Sequence, residues 1–519
     1  MTEPSAAPAV SSHAVSRARL GVVVFTGGAG TLATEIAASR LLAPYFGSST
    51  IVWANIIGLI LVYLSVGYWL GGKLADRRPE PRLLGAIVLV AALFIAATPF
   101  VARPVLDLAL EGLDAVDVGA VVGSFFAALG LFAVPVTLLG VVSPFAIRLA
   151  IQDVGEAGTV AGRLYALSTV GSILGTFLSA IVTIPLLGTQ RTMLGSAALL
   201  VLAAALLLGG RWQLLTLVVA GLLFIPAGAI KATPGLLHES ESRYQYVQIA
   251  ERSDGSRVLR LNEGVAIHSL WQPGTVLTGG VWDMFLLVPP LVERPVERML
   301  VIGNAGGTVA RAYGELYPDV RIDGVEIDPE VTEAGREFLG LGENPNLRAI
   351  EADGRPYLEL TDERYDVILV DAYHQPYIPF YLATKEFFGR ARERLTPGGV
   401  VALNVAGVPG DDRLSEAIGS TLLAAFPQVW RWRPLRFNEL VLAFDRPVSR
   451  VELTERAADA PADVAALVSL FRQDVEPVDS VGAPLTDDRA PVEWLTDRMI
   501  IDYVARGGEL DEDLLPTAP

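Results

Sequence analysis

The segment Arg298-Met-Leu-Val-Ile-Gly-Asn-Ala-Gly-Gly307 joins a short apolar run to a glycine-rich turn. Four consecutive apolar residues are typical of a buried strand, and glycines let the backbone of the turn approach a ligand closely. A helix over residues 308–316 is predicted to follow, so the turn should lie at a helix N-terminus. The segment therefore predicts the first βα unit of a doubly wound α/β sheet.

Acidic residues end the next apolar runs and extend this pattern. Glu326 follows Gly303 by 23 residues, close to the spacing at which a carboxylate binds ribose hydroxyls. Asp353 and Asp371 end two further predicted strands, and open α/β sheets bind ligands at the carboxyl ends of their strands. Any one of these acids alone would more simply be a helix cap, whereas three in succession predict a nucleoside-binding site.

The N-terminal half of the chain differs sharply from this acidic domain in charge. Residues 1–235 contain 13 Lys and Arg and 10 Asp and Glu, against 27 and 47 in the remainder. A helix needs about 20 apolar residues to cross a bilayer, and on this basis we expect seven spans. Residues 118–150 are long enough to hold an eighth span. Those seven are 20–44, 51–72, 83–103, 118–142, 164–187, 192–208 and 212–230.

Composition excludes several classes of site. The chain has no Cys and only four scattered His, so it cannot form disulfides or thiolate metal sites, and no metal is expected. The acidic C-terminal half disfavours nucleic acid and favours small cationic ligands. Glu35 and Arg40 lie in the first apolar segment, where a charged side chain is costly. Glu35 is therefore a candidate substrate-binding residue, the alternative being an ion pair between helices or a side chain that reaches the interface.

Residues 240–445 resemble the spermidine synthase, or aminopropyltransferase, family, which is built on the methyltransferase-type Rossmann fold. The segment 485–493 looks like the ending of family members that are fused to a membrane domain. The resemblance rests on Ser242-Arg-Tyr-Gln245, Leu300–Gly307, Val325-Glu-Ile-Asp-Pro329, Asp353-Gly354, Tyr365–Asp371 and Leu395–Gly399.

The predicted fold is a polytopic α-helical membrane domain followed by an α/β Rossmann-like, methyltransferase-type catalytic domain with a small N-terminal β-rich subdomain. A homo-oligomer is compatible with the sequence. The boundaries are a disordered N-terminus at 1–16, a transmembrane domain of seven or eight helices at 17–235, the β-rich subdomain at 236–297, the catalytic domain at 298–505 and a tail at 506–519.

The resemblance implies a sulfonium co-substrate, S-adenosylmethionine or its decarboxylated form, and in-line transfer that releases methylthioadenosine. It places Glu326 on the ribose and Asp353-Gly354 near the adenine. Asp371 matches the family's proton acceptor, and His374 is a second candidate for proton transfer. The donor-binding residues it implies are Gln245, Gly303, Gly306, Gly307, Glu326, Asp353 and Gly354.

Departures from the family pattern concern the acceptor. Ala305 stands where soluble spermidine synthases carry an acid, Trp282 stands where they carry His, and His374 replaces a second acid. A dicationic amine would lose much of its counter-charge here, so we predict a membrane-associated acceptor such as a lipid head group rather than putrescine. The candidate acceptor residues are Trp282, Asp283, Ala305, Tyr373 and Glu35.

The basic loop Gly71–Arg78 is predicted to be cytoplasmic by the positive-inside rule, as is an N-terminus that carries Arg17 and Arg19. Seven spans would then leave the catalytic domain outside, where adenosyl donors are absent. We therefore expect a multi-pass protein of the cell membrane with a cytoplasmic catalytic domain and either an even number of spans or an external N-terminus.

Alternatives remain open at this point. They are a membrane-anchored spermidine synthase, a methyltransferase, and a transporter or sensor with a degenerate nucleotide domain. A donor that keeps its carboxylate would need a binding group, which the backbone N–H groups of the 303–308 turn offer. Asp487 or Asp488 is predicted to cap a helix over 491–504, the alternative being closure over the site.

Overall fold

The computed structural model describes residues 16–46, 50–114, 120–225, 230–231, 233–262, 266–374, 377–479 and 482–508. They form two compact units, which divide between Ile230 and Lys231. The predicted disordered N-terminus at 1–16 and the tail at 506–519 fall almost entirely outside the described residues.

The N-terminal unit is helical. A π-helical turn at Ser179–Thr183 joins two of its helices, and a non-helical Gly188 with φ of 83° breaks the second of them near its start. The helices are α1 (Arg17–Phe46), α2 (Thr50–Arg77), α3 (Pro81–Asp114), α4 (Ala120–Gly140), α5 (Val142–Ala150), α6 (Ala157–Leu178), α7 (Ile184–Leu208) and α8 (Gln213–Leu222).

Helices α1 and α6 pack with their backbones in contact. A Cβ atom added to Gly171 would lie 2.1 Å from the carbonyl oxygen of Phe25, and one added to Gly175 would lie 2.2 Å from that of Ala29. Small residues at such crossings let apolar helices gain dispersion energy where burial from water contributes little. This packing is the kind expected of helices in a bilayer.

In the described part of the chain, five apolar helical stretches are long enough to cross a membrane. The last contains 55 residues and would extend about 80 Å, so with its break at Gly188 it is long enough to cross twice. The stretches are Arg17–Phe46, Val52–Arg77, Pro81–Leu106, Gly123–Ala150 and Val154–Leu208.

The predicted count of spans needs correction at its end. Predicted spans 164–187 and 192–208 fall within one helical stretch whose break at Gly188 lies between them, so the structure is compatible with both. Predicted span 212–230 contains only α8, whose ten residues are about half the necessary length, and its residues 226–229 lie outside the described chain. The eighth span considered within 118–150 is also wrong, because the additional helix there, α5, has nine residues.

The C-terminal unit begins with a four-stranded antiparallel sheet in the order β1-β2-β3-β4. In strand β4, the Oγ atom of Ser269 accepts a hydrogen bond of 2.8 Å from the N–H of Gly306, so this sheet lies over the glycine turn. The strands are β1 (Leu236–Glu241), β2 (Tyr246–Glu251), β3 (Arg257–Leu261) and β4 (Ile267–Trp271).

The larger sheet has the strand order β12-β10-β11-β9-β8-β5-β6-β7. Strands β5 to β9 are parallel, and β11 is antiparallel to both β9 and β10. The strands are β5 (Arg298–Ile302), β6 (Arg321–Glu326), β7 (Leu347–Glu351), β8 (Tyr365–Val370), β9 (Leu395–Ala406), β10 (Gln428–Trp432), β11 (Asn438–Phe444) and β12 (Glu476–Pro477).

The order in which strands are added to this sheet reverses between β5 and β8. Strands β6 and β7 lie on one side of β5, whereas β8 and β9 lie on its other side. Such a reversal opens a crevice at the carboxyl ends of the two central strands. The predicted doubly wound, methyltransferase-type Rossmann sheet is thereby confirmed. Its helices are α9 (Val281–Met284), α10 (Val288–Leu291), α11 (Thr308–Leu316), α12 (Pro329–Phe338), α13 (Gly354–Leu360), α14 (Lys385–Glu393), α15 (Arg413–Leu423), α16 (Arg450–Arg456), α17 (Ala465–Asp474) and α18 (Val492–Val504).

The central strands bury both faces, which explains their continuous apolar sequence. Val367 and Leu369 of β8 pack into the core on one face of the sheet, and Ile368 and Val370 pack into the core on the other. All six residues of β8 are buried. This two-sided burial fixes the end of β8, and with it Asp371, in the crevice.

Candidate functional site

The glycine turn after β5 has left-handed backbone conformations and packs closely against a neighbouring loop. Gly303 and Gly307 have φ values of +86° and +84°, and Ala305 has a φ of +44°, which is uncommon for a residue with a side chain. A Cβ atom on Gly303 would lie 2.6 Å from the backbone of Ala372, so the turn directly contacts the loop that follows β8. Glycine is required there by both the backbone conformation and the close approach.

Each backbone N–H from Gly303 to Gly307 donates a hydrogen bond within the protein. None of these five groups is available for the carboxylate of adenosylmethionine, which leaves only the N–H of Thr308 from the 303–308 turn considered in the sequence analysis. Their acceptors, in chain order, are Val325 O at 2.9 Å, Val325 O at 3.1 Å, Glu326 Oε2 at 2.9 Å, Ser269 Oγ at 2.8 Å and Asn304 O at 2.9 Å.

Glu326 ends β6 with its carboxylate against the glycine turn. Glu326 is only 8% exposed to solvent, and its two carboxylate oxygens accept hydrogen bonds from the N–H groups of Ala305 and Asp328. Burial raises the pKa of Glu326 to about 7, although these N–H groups favour the charged form. The carboxylate keeps further lone pairs for hydroxyl donors, which suits the predicted contact with a ribose.

Asp328 connects the Ser242–Gln245 segment to the end of β6. It is fully buried, caps α12 by accepting from the N–H of Glu330, and accepts from the hydroxyl of Ser242 at 2.6 Å. The side chain of Gln245 also hydrogen-bonds to it. Asp328 is not among the residues predicted from the sequence, although an Asp directly before a Pro at a helix start is a recognisable cap.

Asp353 and Gly354 begin α13 at the end of β7. The carboxylate of Asp353 accepts a hydrogen bond from the N–H of Arg355 at 3.1 Å and caps the helix. A helix cap is the simpler role that the sequence offered for any one of these acids. The pKa of Tyr381 is raised by burial and by the nearby Asp353 and Tyr244. Two aromatic rings therefore lie near the predicted adenine position.

Asp487 does not cap the C-terminal helix, and that prediction is wrong. Helix α18 begins at Val492 with Pro491 at the cap position and has no side-chain cap. The Asp487 carboxylate instead accepts from both terminal nitrogens of Arg355 at 2.7 and 2.6 Å and from Thr384 Oγ1 at 2.7 Å. The C-terminal segment thus holds the residue that follows the predicted adenine-binding pair.

Asp371 follows β8 directly, and its N–H donates to the carbonyl of Ile302 at the end of β5. Its carboxylate accepts a hydrogen bond from Asn404 Nδ2 at 2.8 Å, and the side chain of Trp282 lies close enough to favour its charged form as a second donor. Desolvation raises the pKa of Asp371 to about 7, against the opposing effect of these two donors. A carboxylate with this pKa is well matched to proton transfer near neutral pH.

This raised pKa predicts an acidic limb in the pH profile of the enzyme. Because only the ionised carboxylate accepts a proton, kcat/KM for methylthioadenosine release should fall at least tenfold per unit below about pH 7 and level off above it. Glu326 titrates in the same range and contributes through donor binding, so initial rates between about pH 5.5 and 8.5 are compared with methylthioadenosine affinity at each pH, which reports the Glu326 contribution separately. A flat profile through neutrality would mean that Asp371 is ionised throughout.

Asp283 follows Trp282 in the sequence, but its hydrogen bonds are to the loop before α9 rather than to Asp371. Its carboxylate is buried and accepts hydrogen bonds of 2.8 to 3.1 Å from the backbone and hydroxyl of Thr278 and from the N–H of Gly279. It therefore holds the loop before α9. Of this pair, it is Trp282 that reaches the Asp371 carboxylate.

Tyr373 and His374 lie on the loop after Asp371. The Tyr373 hydroxyl accepts from the N–H of Ala406 at 2.8 Å and donates to the carbonyl of Asn404 at 3.1 Å, which ties the loop to β9. The backbone of His374 pairs with that of Tyr377, and residues 375–376 between them lie outside the described chain.

His268 on β4 is a site residue that the sequence analysis missed. Its Nε2 atom is buried and has no hydrogen-bond partner among the described residues. Burial lowers the pKa of His268 to about 4, and the nearby His374 lowers it further. The four His appear scattered along the chain, and only the fold brings these two together. Glu35, by contrast, belongs to α1 of the N-terminal unit, where it is half-buried.

The strand order and the acids at the strand ends define a methyltransferase-type Rossmann domain with its crevice between β5 and β8. Residues 283–428 match the family model of the spermine/spermidine synthase domain. A probable polyamine aminopropyl transferase of Bifidobacterium longum is 31% identical over 316 residues, which cover 56% of this chain and 70% of that protein.

Two further similarities extend the comparison. A polyamine aminopropyltransferase of Vibrio vulnificus is 32% identical over 175 residues, which are 33% of this chain and 58% of that protein. The crystal structure of a probable spermidine synthase from Corynebacterium glutamicum is similar at 16% identity and a TM-score of 0.37, covering 56% of this chain and 99% of that one.

This chain belongs to the spermine/spermidine synthase family. The family's members are aminopropyltransferases, so the chain is an enzyme of the class that transfers alkyl groups other than methyl. The predicted family and enzyme class are confirmed, and the apolar helical unit is consistent with an additional fused domain.

Proposed function

We propose that this enzyme transfers an aminopropyl group from decarboxylated S-adenosylmethionine to a primary amine on a membrane-borne acceptor, such as a lipid head group, and releases methylthioadenosine. One observation carries the proposal: Asp371 is flanked by Asn404, which donates a hydrogen bond to it, and by Trp282, and neither side chain brings a second negative charge. This surrounding suits an acceptor with one ammonium group better than a dication.

The glycine turn supports the choice of donor. Its five N–H groups from Gly303 to Gly307 are engaged within the protein, so a donor carboxylate would gain no hydrogen bond from them. A donor without that carboxylate avoids the cost of leaving a buried charge unpaired. Glu326 would bind its ribose hydroxyls, and its negative charge would also attract the sulfonium.

Transfer would proceed as a direct displacement. Asp371 takes a proton from the acceptor ammonium, and the freed nitrogen lone pair attacks the propyl carbon bonded to sulfur. The new C–N bond forms as the C–S bond breaks. The electron pair of the C–S bond stays on sulfur, which gives neutral methylthioadenosine. Asn404 and Trp282 hold the carboxylate in place during this step.

The helical unit supports a membrane-borne acceptor. If the stretch Val154–Leu208 crosses twice, the described chain contains six crossings, an even number. An even number would leave the N-terminus and the catalytic domain on the same side, and the basic Gly71–Arg78 segment favours the cytoplasm for that side. This arrangement removes the conflict that an odd count created.

The acceptor is tested with full-length purified protein and decarboxylated S-adenosylmethionine. We expect methylthioadenosine release with vesicles that contain phosphatidylethanolamine, and mass spectrometry should find that lipid heavier by one aminopropyl group. Phosphatidylcholine vesicles, which lack a primary amine, are the matched control.

Two other outcomes would replace this proposal. Release with putrescine but not with either vesicle would identify a membrane-anchored spermidine synthase, the candidate that the curated relatives favour. Production of adenosylhomocysteine from adenosylmethionine would identify a methyltransferase instead.

A further inference from the structure

Two asparagine amides form a hydrogen-bonded chain that ends on the catalytic carboxylate. Asn438 Nδ2 donates to Asn404 Oδ1 at 2.9 Å, and Asn404 Nδ2 donates to Asp371 Oδ1 at 2.8 Å. Asn404 is the polar residue in the apolar run Val400–Val405 of β9, and it is only 4% exposed. Asn438 begins β11, the antiparallel neighbour of β9.

The direction of this chain is set by charge. An ionised carboxylate can only accept, so Asn404 must turn its NH₂ group toward Asp371. Its carbonyl oxygen then faces Asn438, which must present its own NH₂ group. Because each amide has one donor end and one acceptor end, the orientation of Asn438 determines which end of Asn404 meets the carboxylate.

We infer that Asn438 is a positioning residue for proton transfer: it holds the Asn404 amide in the orientation that donates to Asp371. The inference rests on the proposed function only in taking Asp371 as the proton acceptor. It does not depend on the identity of the amine. It would hold equally for a lipid head group or for putrescine.

The backbone around Asn404 leaves little freedom for other arrangements. Its carbonyl accepts from the Tyr373 hydroxyl at 3.1 Å, and its strand is paired with β11 from Asn438 to Phe444. Relaxation of the side chain is therefore confined to rotation of the amide. An exchange of its two ends is the change with the largest electrostatic effect on the carboxylate.

Among the described residues, the ionisable groups beside Asp371 lie on its own loop, which also carries His374, and on β11. Tyr373 on its own loop has a pKa raised by burial and by Asp371 and Glu439, and it stays neutral in the range of interest. Glu439 on β11 follows Asn438 and is paired with Arg433 and hydrogen-bonded to Ser415, so its charge is compensated. Trp282 on α9 does not titrate. The titration of Asp371 should therefore report the orientation of the Asn404 amide.

The decisive variant is Asn438→Asp, which keeps the shape of the side chain but, when ionised, can only accept. Asn404 would then turn its NH₂ group toward position 438 and its carbonyl oxygen toward Asp371. We expect the acidic limb of kcat/KM for methylthioadenosine release to move up by on the order of one pH unit. At pH 7 this corresponds to about a fivefold loss of rate, which approaches about tenfold below about pH 6, with methylthioadenosine binding retained.

Two further variants complete this test. Asn438→Ala removes the donor without imposing the reverse orientation, so the limb should move in the same direction by a smaller amount; this variant also serves if Asn438→Asp fails to fold. Asn346→Asp adds the same charge just before β7, at the opposite edge of the sheet, and should leave the limb unchanged.

Each outcome has a separate meaning. A wild-type acidic limb in both Asn438 variants would overturn the inference, as would a matching shift in Asn346→Asp. Failure of the lipid acceptor while putrescine supports turnover would contradict the proposed function alone, because the limb can be measured with either amine.

Discussion

Asp371→Asn is expected to reduce methylthioadenosine release by about 10²- to 10⁴-fold, the range usual for loss of a general base. The amide has the shape of the carboxylate but cannot accept a proton. Binding of methylthioadenosine, which carries no charge that requires a counter-ion, should change little. Single-turnover release and isothermal titration calorimetry measure the two effects separately.

His374→Gln is the comparison variant for this experiment. His374 is the other candidate for proton transfer on the same loop, and its loss should have the smaller effect. If release survived in Asp371→Asn and disappeared in His374→Gln, the base would be His374, and the mechanism given above would be wrong.

Glu326→Ala is expected to weaken methylthioadenosine binding on the order of 10²-fold, because hydrogen bonds to a charged acceptor contribute about 1.5–3 kcal/mol each. The loss includes a second effect, since the N–H of Ala305 loses its acceptor in a buried turn. Turnover at saturating donor should fall much less than affinity, because Glu326 does not contact the reacting atoms in the proposed arrangement.

Glu351→Ala is the matched control. Glu351 is the neighbour of Glu326 in the register of β6 and β7, but it is exposed and carries no predicted contact with the donor. Equal losses in both variants would show that the effect is one of general charge near the strand ends rather than of a specific ribose contact.

The fold of the C-terminal unit was predictable because its signals are local. The apolar run from Met299 to Ile302, the glycines after it and the acid at Glu326 lie within about thirty residues, and each carries its meaning without a distant partner. The helical unit was predictable in kind for the same reason. Its count was not, because the early end of α8 depends on packing that an apolar sequence does not reveal.

The polar contacts of the site were harder to predict because their partners are far apart in sequence. Asp487 satisfies a local rule for helix caps, yet it pairs with Arg355, which lies 132 residues earlier. Asn404 and Asn438 are ordinary residues until β9 and β11 pair. One signal for Asn404 was present, since a lone amide in the middle of an apolar strand requires a hydrogen-bonding partner.

Two acids of the site also connect ligand chemistry to folding. With pKa values raised to about 7, Glu326 and Asp371 hold protons that an unfolded chain would release near pH 4. Each acid therefore contributes its full stability below about pH 4, and this contribution is lost as the pH rises through about 7. In the proposed reaction, a sulfonium cation bound near these two carboxylates would lower the cost of ionising them at neutral pH. Transfer would convert that cation into a neutral thioether, so the proposed reaction would itself remove the attraction that held the donor and favour departure of the product.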